Sequence, residues 1–213
     1  MLTKKCVLLF SGKGSNIKNL IDKQASLNGK LEYIAAFTNN PTAKGIDICS
    51  DNDIEVTISD QEELNSNLIN FLSKYKPDLI ILAGYMKILP DDIVNKYVDK
   101  IINIHPSLLP KYPGLNTYEK VLKNNDLYHG VTIHYVNTTL DGGPIILQGK
   151  FKIRKKLSIK ELEDLTHKVE HKIYPIVVKW IADDLISVKD NIIQFNDKTI
   201  YSPITYLVDE MSI

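Results

Sequence analysis

An asparagine and a histidine close an otherwise apolar run at residues 101–105, Ile-Ile-Asn-Ile-His, just ahead of Pro106. Alternate side chains of an extended strand share a face, so Asn103 and His105 stand about 6.5 to 7 Å apart along one side of it. A carboxamide there can donate to developing negative charge, and an imidazole can exchange protons near neutral pH. Asp141 adds a carboxylate, at the head of an Asp-Gly-Gly-Pro turn whose glycines permit close approach to a ligand. Amide, imidazole and carboxylate are the parts needed to stabilise a tetrahedral oxyanion and move a proton. Each also has a structural reading: Asn103 and His105 can satisfy nearby backbone groups, and Asp141 can bond its own turn. Their combination favours chemistry.

A second constellation is Ser11-Gly12-Lys13-Gly14-Ser15-Asn16, between a first apolar run and a first amphipathic stretch. Such a turn leaves backbone N–H groups of a helix start free to point at a phosphate. Ser15 and Asn16 are expected to cap that helix, with Lys13 adding charge. The turn lacks the third glycine of a dinucleotide fingerprint and the GK[ST] ending of a P-loop, which favours a monophosphate. A tight turn with no ligand is the alternative.

The elements that must position these groups follow from periodicity. Short apolar runs at 6–10, 33–37, 56–58, 79–82 and 101–104 read as strands, and amphipathic stretches at 16–24, 43–52, 62–74 and 90–97 read as helices. That alternation predicts β-α-β units and a mostly parallel sheet with helices on both faces. Beyond Pro106 a polar loop, a short helix around 118–123 and two β-type runs at 131–136 and 145–153 predict antiparallel pairing at one sheet edge. From 158 to 181 apolar positions recur at helical spacing, with Ser158 as cap ahead of Glu161, and Pro175 is expected to kink or divide the helix. The tail after Asp190 is weakly patterned. In such sheets ligands bind at the carboxyl ends of the strands, where Asn103 and His105 fall.

With 213 residues, 44% of them hydrophobic, and no Gly/Ser- or Pro-rich linker, the chain reads as one domain. The 26 basic and 26 acidic residues cancel, so no nucleic acid or anionic membrane is expected as partner. No apolar run is long enough for a signal peptide or a membrane span. Cys6 and Cys49 form neither a disulfide framework nor a metal-ligand pattern, which fits a reducing, cytoplasmic setting.

The chain resembles the phosphoribosylglycinamide formyltransferases from Val7 to about Trp180. The resemblance is carried by SGKGSN (11–16), PDLIILAGYMKIL (77–89), NIHPSLLPKYPG (103–114), HGVTIHYV (129–136), LDGGPIILQ (140–148) and EHKIYP (170–175). It implies an α/β, Rossmann-like fold and one formyltransferase domain over 1–213. Its N-terminal half would bind phosphate and nucleotide, and its C-terminal half would carry the folate and catalytic loops. The implied reaction transfers the formyl group of 10-formyltetrahydrofolate, a co-substrate, to the amine of glycinamide ribonucleotide in purine biosynthesis. Asn103, His105 and Asp141 would be catalytic. Gly14, Ser15 and Asn16 would hold the substrate phosphate, and Glu170 its ribose hydroxyls. Met86, Lys87, Ile88 and Leu89 would line the folate cleft. Neither a metal nor a covalent enzyme intermediate is required, and the partners are small molecules, the chain being a monomer or homodimer.

Two positions depart from the family pattern: Gln61 stands near where an Arg commonly contacts folate, and His167 where some relatives have a phosphate-contacting Lys. Altered contacts to the folate tail and phosphate are expected. His129, His134 and His171 are read as structural. Rival readings are formylation of initiator methionyl-tRNA, hydrolysis of formyl-folate, sugar-nucleotide formylation and a non-catalytic phosphate-binding module. Chain length and charge count against the first, lack of room before Val7 against the second, EHKIYP against the third and the intact trio against the last.

Overall fold

The computed structural model describes residues 2–154 and 157–208. Contacts divide the chain into two compact units, Met1–Asn103 and Ile104–Ile213.

In the first unit five strands pair in the order β5-β4-β1-β2-β3, all parallel. They are β1 (Lys4–Phe10), β2 (Leu31–Thr38), β3 (Val56–Ile58), β4 (Leu79–Leu82) and β5 (Ile101–His105), whose last two residues already belong to the second unit. Residues 6–10 of β1 and 79–82 of β4 are buried throughout, as a strand covered on both faces requires. Helices α1 (Ser15–Asp22), α2 (Gly45–Ser50), α3 (Leu64–Tyr75) and α4 (Asp91–Lys96) alternate with them. Helix α3 buries Leu68, Phe71 and Leu72, and the Phe71 ring meets Phe37 of β2 at 5.4 Å. Cys6 and Cys49 are free and buried; burial pushes the Cys49 thiol up to about 11, so it is protonated and inert at neutral pH.

The start of α1 differs from expectation. Gly14, not Ser15 or Asn16, is the N-cap, in the left-handed region at φ 76°, with no side-chain cap. The reason is crowding: a Cβ on Gly14 would lie 2.7 Å from the Gly45 Cα. The two helix starts touch backbone to backbone, and only glycine fits both the space and the dihedral.

In the second unit β6 (Tyr128–Tyr135) runs antiparallel to β7 (Ile145–Lys152), and β11 (Ile204–Leu207) lies parallel to β7. Helix α5 (Thr117–Lys123) precedes β6, and α6 (Ile159–Ala182) packs on β6 and β7. Close packing is set by Gly149, where a Cβ would fall 2.4 Å from Val169. The Ser158–Glu161 capping box is formed as read from sequence. Pro175 does not divide α6. A proline forfeits one N–H, but Ile173, Tyr174 and Val177 beside it are fully buried and hold the helix on the sheet.

The weakly patterned tail also has structure. Strands β8 (Ile186–Lys189), β9 (Ile192–Phe195) and β10 (Lys198–Thr199) form an antiparallel meander, pinned to α6 by Trp180 against Phe195 at 5.0 Å. Its turns, Asp190 with Asn191 and Asn196 with Asp197, all have positive φ, the two-residue hairpin geometry that Asn and Asp tolerate. No helix among the described residues is long and apolar enough to cross a membrane.

Candidate active site

Within the first unit, β1 delivers the glycine turn and β4 delivers residues 86–89. Ser15 is exposed and Asn16 buried in the first turn of α1, with Lys13 exposed beside them. Helix-start N–H groups and a lysine make this turn suited to an anion. Met86 and Ile88 are 75% and 80% exposed, while Leu89 is buried. Apolar side chains left so open after a strand's carboxyl end are available to an apolar ligand. Beside them a cavity of about 560 Å³ is lined by Ser11, Asn39, Asn40, Asp60, Gln61 and Met86, among others. Gln61 thus shares a cavity with Met86, and its Nε2 donates to the Asn39 carbonyl at 3.0 Å. Asn103, half-buried, ends this unit on β5.

Within the second unit His105 and Asp141 meet. His105 Nδ1 lies 3.4 Å from Asp141 Oδ2, with side chains only 7% and 8% exposed. The Asp141 Oδ2 also accepts the Gly114 N–H at 2.8 Å. On the far side of the imidazole, Nε2 donates to the Tyr112 carbonyl at 2.9 Å. Both ring nitrogens therefore face oxygen atoms. Asp141 is held at φ 50°, and the turn behind it is fixed by Gly143, where a Cβ would come within 1.8 Å of the Tyr135 carbonyl oxygen. The glycine lets the chain double back on β6 and present the carboxylate inward.

A second imidazole joins this pair. His134 Nε2 is 3.7 Å from Asp141 Oδ1, its Nδ1 donates to the Tyr135 carbonyl at 2.8 Å, and the side chain is 2% exposed. Burial lowers the His134 pKa most, with His105 adding to the effect and the Tyr135 carbonyl and Asp141 opposing it. His134 therefore borders the site. His129 fits the structural reading: it sits edge-on between Tyr118 and Phe151, and burial pushes its pKa down to about 4. Glu170 is 5% exposed on α6, and with burial it pushes the Tyr118 phenol up. His167 is half-buried on the same helix.

Residues 4–178 match the formyl transferase family model. The chain is 37% identical to the phosphoribosylglycinamide formyltransferase of Haemophilus influenzae, an alignment covering 92% of this chain and 96% of that one. It is 38% identical to the enzyme of the same name from Escherichia coli, over 87% and 90% of the two chains. The chain belongs to the phosphoribosylglycinamide formyltransferase family. Among solved structures, the phosphoribosylglycinamide formyltransferase of Coxiella burnetii in complex with CHES is similar with a TM-score of 0.89 at 35% identity. That similarity covers 96% of this chain and all of that one.

Membership makes the chain a formyltransferase of purine biosynthesis, with the mostly parallel, Rossmann-like sheet flanked by helices that its sequence predicts. Against the family pattern, the sequence identifies His105 and Asp141, which the structure brings into contact, but it misses three groups around them. The Tyr112 carbonyl and Gly114 N–H are backbone atoms, for which the one signal is the Tyr-Pro-Gly turn with Tyr112 at φ 56°. His134 carries a signal that can be read: a histidine in the otherwise apolar end of a buried strand, beside the bulge at Ile133 and His134.

Proposed function

We propose that the chain transfers the formyl group of 10-formyltetrahydrofolate to the amine of glycinamide ribonucleotide, releasing tetrahydrofolate and formylated ribonucleotide. The reading rests on the buried His105–Asp141 contact in a chain of this family. The substrate amine attacks the formyl carbon, and the negative charge on the formyl oxygen is met by the Asn103 amide and the protonated ring of His105. The formyl oxygen takes the place of the Tyr112 carbonyl on Nε2–H. Asp141 on the other ring nitrogen favours the imidazolium, and through a water it carries the proton from the attacking amine to folate N10 as the C–N10 bond breaks. Gly14, Ser15 and Asn16 hold the phosphate, Glu170 the ribose hydroxyls, and Met86, Lys87, Ile88 and Leu89 the folate. The chain acts in the cytoplasm as one formyltransferase domain, a monomer or homodimer.

An absorbance assay for deformylated folate, run with and without glycinamide ribonucleotide, tests this. Turnover that depends on the ribonucleotide supports transfer. Equal turnover without it would assign the chain to hydrolysis of the formyl donor instead.

A further inference from the structure

Four hydrogen bonds converge on Ser11, the residue between β1 and the glycine turn. Its N–H donates to the Gly84 carbonyl at 3.1 Å, and its carbonyl accepts the Asn40 Nδ2 at 2.9 Å. Its hydroxyl donates to Asn39 Oδ1 at 2.5 Å and accepts the Met86 N–H at 2.9 Å. The Ser11 and Asn39 side chains are both buried, so the bond between them is shielded from water. The Asn39 carboxamide fixes where the hydroxyl proton points, which leaves a lone pair aimed at Met86. Asn39 is itself tied at its carbonyl by Gln61, and Asn40 by the Thr42 N–H and hydroxyl.

Two segments with assigned ligands thus meet on one hydroxyl. Ser11 immediately precedes the turn proposed to grip phosphate, and Met86 begins the segment proposed to line the folate cleft. With its side chain 75% exposed, Met86 is held through its main chain rather than by apolar burial. Gly14 in the turn, at φ 76°, and Gly84 just ahead of the 86–89 segment, at φ 78°, provide no side chains to fix them.

We propose that Ser11 is a positioning residue that fixes the folate-contacting segment 86–89 against the phosphate turn, acting through Met86 N–H without touching the reacting atoms. The proposal rests on the folate role assigned above to residues 86–89. Gln61 serves the same network by holding Asn39, which gives this position a task other than direct ligand contact.

Initial rates of wild type, Ser11→Ala and Ser11→Thr, with each substrate varied in turn, test the idea alongside the Tm of each protein. Wild-type turnover that requires ribonucleotide is established first; its absence would overturn the functional reading itself. With wild type active, Ser11→Ala is expected to raise KM for the formyl donor roughly five- to tenfold, the worth of one buried hydrogen bond. KM for the ribonucleotide and kcat stay within about twofold, and Ser11→Thr, which keeps the hydroxyl, restores the donor KM. An unchanged donor KM in Ser11→Ala, or equal change in both KM values, overturns the proposal. Should Ser11→Ala not fold, Asn39→Ala keeps the hydroxyl but removes its acceptor. It is expected to raise donor KM selectively, and an unchanged donor KM there overturns the proposal as well.

Discussion

Replacing Asp141 by Asn tests the electrostatic half of the mechanism while leaving the geometry nearly intact. Asn keeps an oxygen for the Gly114 N–H, now at 2.8 Å from Oδ2, and fits the same volume, so the turn is expected to hold. What is lost is a unit negative charge 3.4 Å from His105 Nδ1. At an effective dielectric of about 20, the attraction between that carboxylate and an imidazolium is about 5 kcal/mol. That is a ceiling of between three and four orders of magnitude in rate, since each 1.4 kcal/mol or so is a factor of ten. Removing the proton acceptor for the attacking amine adds to the loss. Asp141→Asn is therefore expected to lower kcat by about a thousandfold or more, with KM for both substrates changed by less than about fivefold and Tm little changed. The absorbance assay at saturating substrates measures kcat, and a melting curve checks the fold. A kcat within about tenfold of wild type, with Tm unchanged, would refute the reasoning.

Asn103→Ala is expected to lose about a hundred- to a thousandfold in kcat with a smaller change in KM, as read from steady-state kinetics. Gly14→Ala is expected to destabilise the fold by roughly 1–3 kcal/mol in urea titration, because it meets both the left-handed penalty and the Gly45 backbone at 2.7 Å. Loss of ribonucleotide binding in that variant would then report a distorted helix start. Stability should also fall with acid through His129: its pKa drops from 6.5 to about 4 on burial, so the unfolded chain binds the extra proton. The contribution is intact above about pH 6.5 and lost progressively toward pH 4, reaching about 3 kcal/mol. Chemical denaturation of wild type and His129→Phe between pH 7 and 4 measures it, the variant showing a shallower decline.

The central strands are legible because parallel strands buried on both faces leave a plain signal: β4 begins and ends where its apolar run does. Helix α6 announced its start through Ser158 and Glu161, side chains whose types encode the cap. The start of α1 was misread because its cap is set by Gly45, thirty-one positions after Gly14 and invisible to local sequence. Pro175 leaves α6 undivided because tertiary burial of its neighbours outweighs one missing hydrogen bond. The meander of β8, β9 and β10 escaped notice because its strands are two to four residues long and its turns use Asp and Asn without glycine. At the site, His105 and Asp141 stood out by type. The atoms that orient them, the Tyr112 carbonyl and Gly114 N–H, are backbone groups that nearly every residue carries, and they acquire meaning only through the fold.

Isotope tracing tests the central claim most directly. With the formyl carbon of 10-formyltetrahydrofolate labelled, the wild-type chain is incubated with glycinamide ribonucleotide and the products are separated and weighed by mass spectrometry. Formyl transfer predicts the label in formylated ribonucleotide, equimolar with the tetrahydrofolate released. Label recovered as free formate, with the ribonucleotide unchanged, would contradict it.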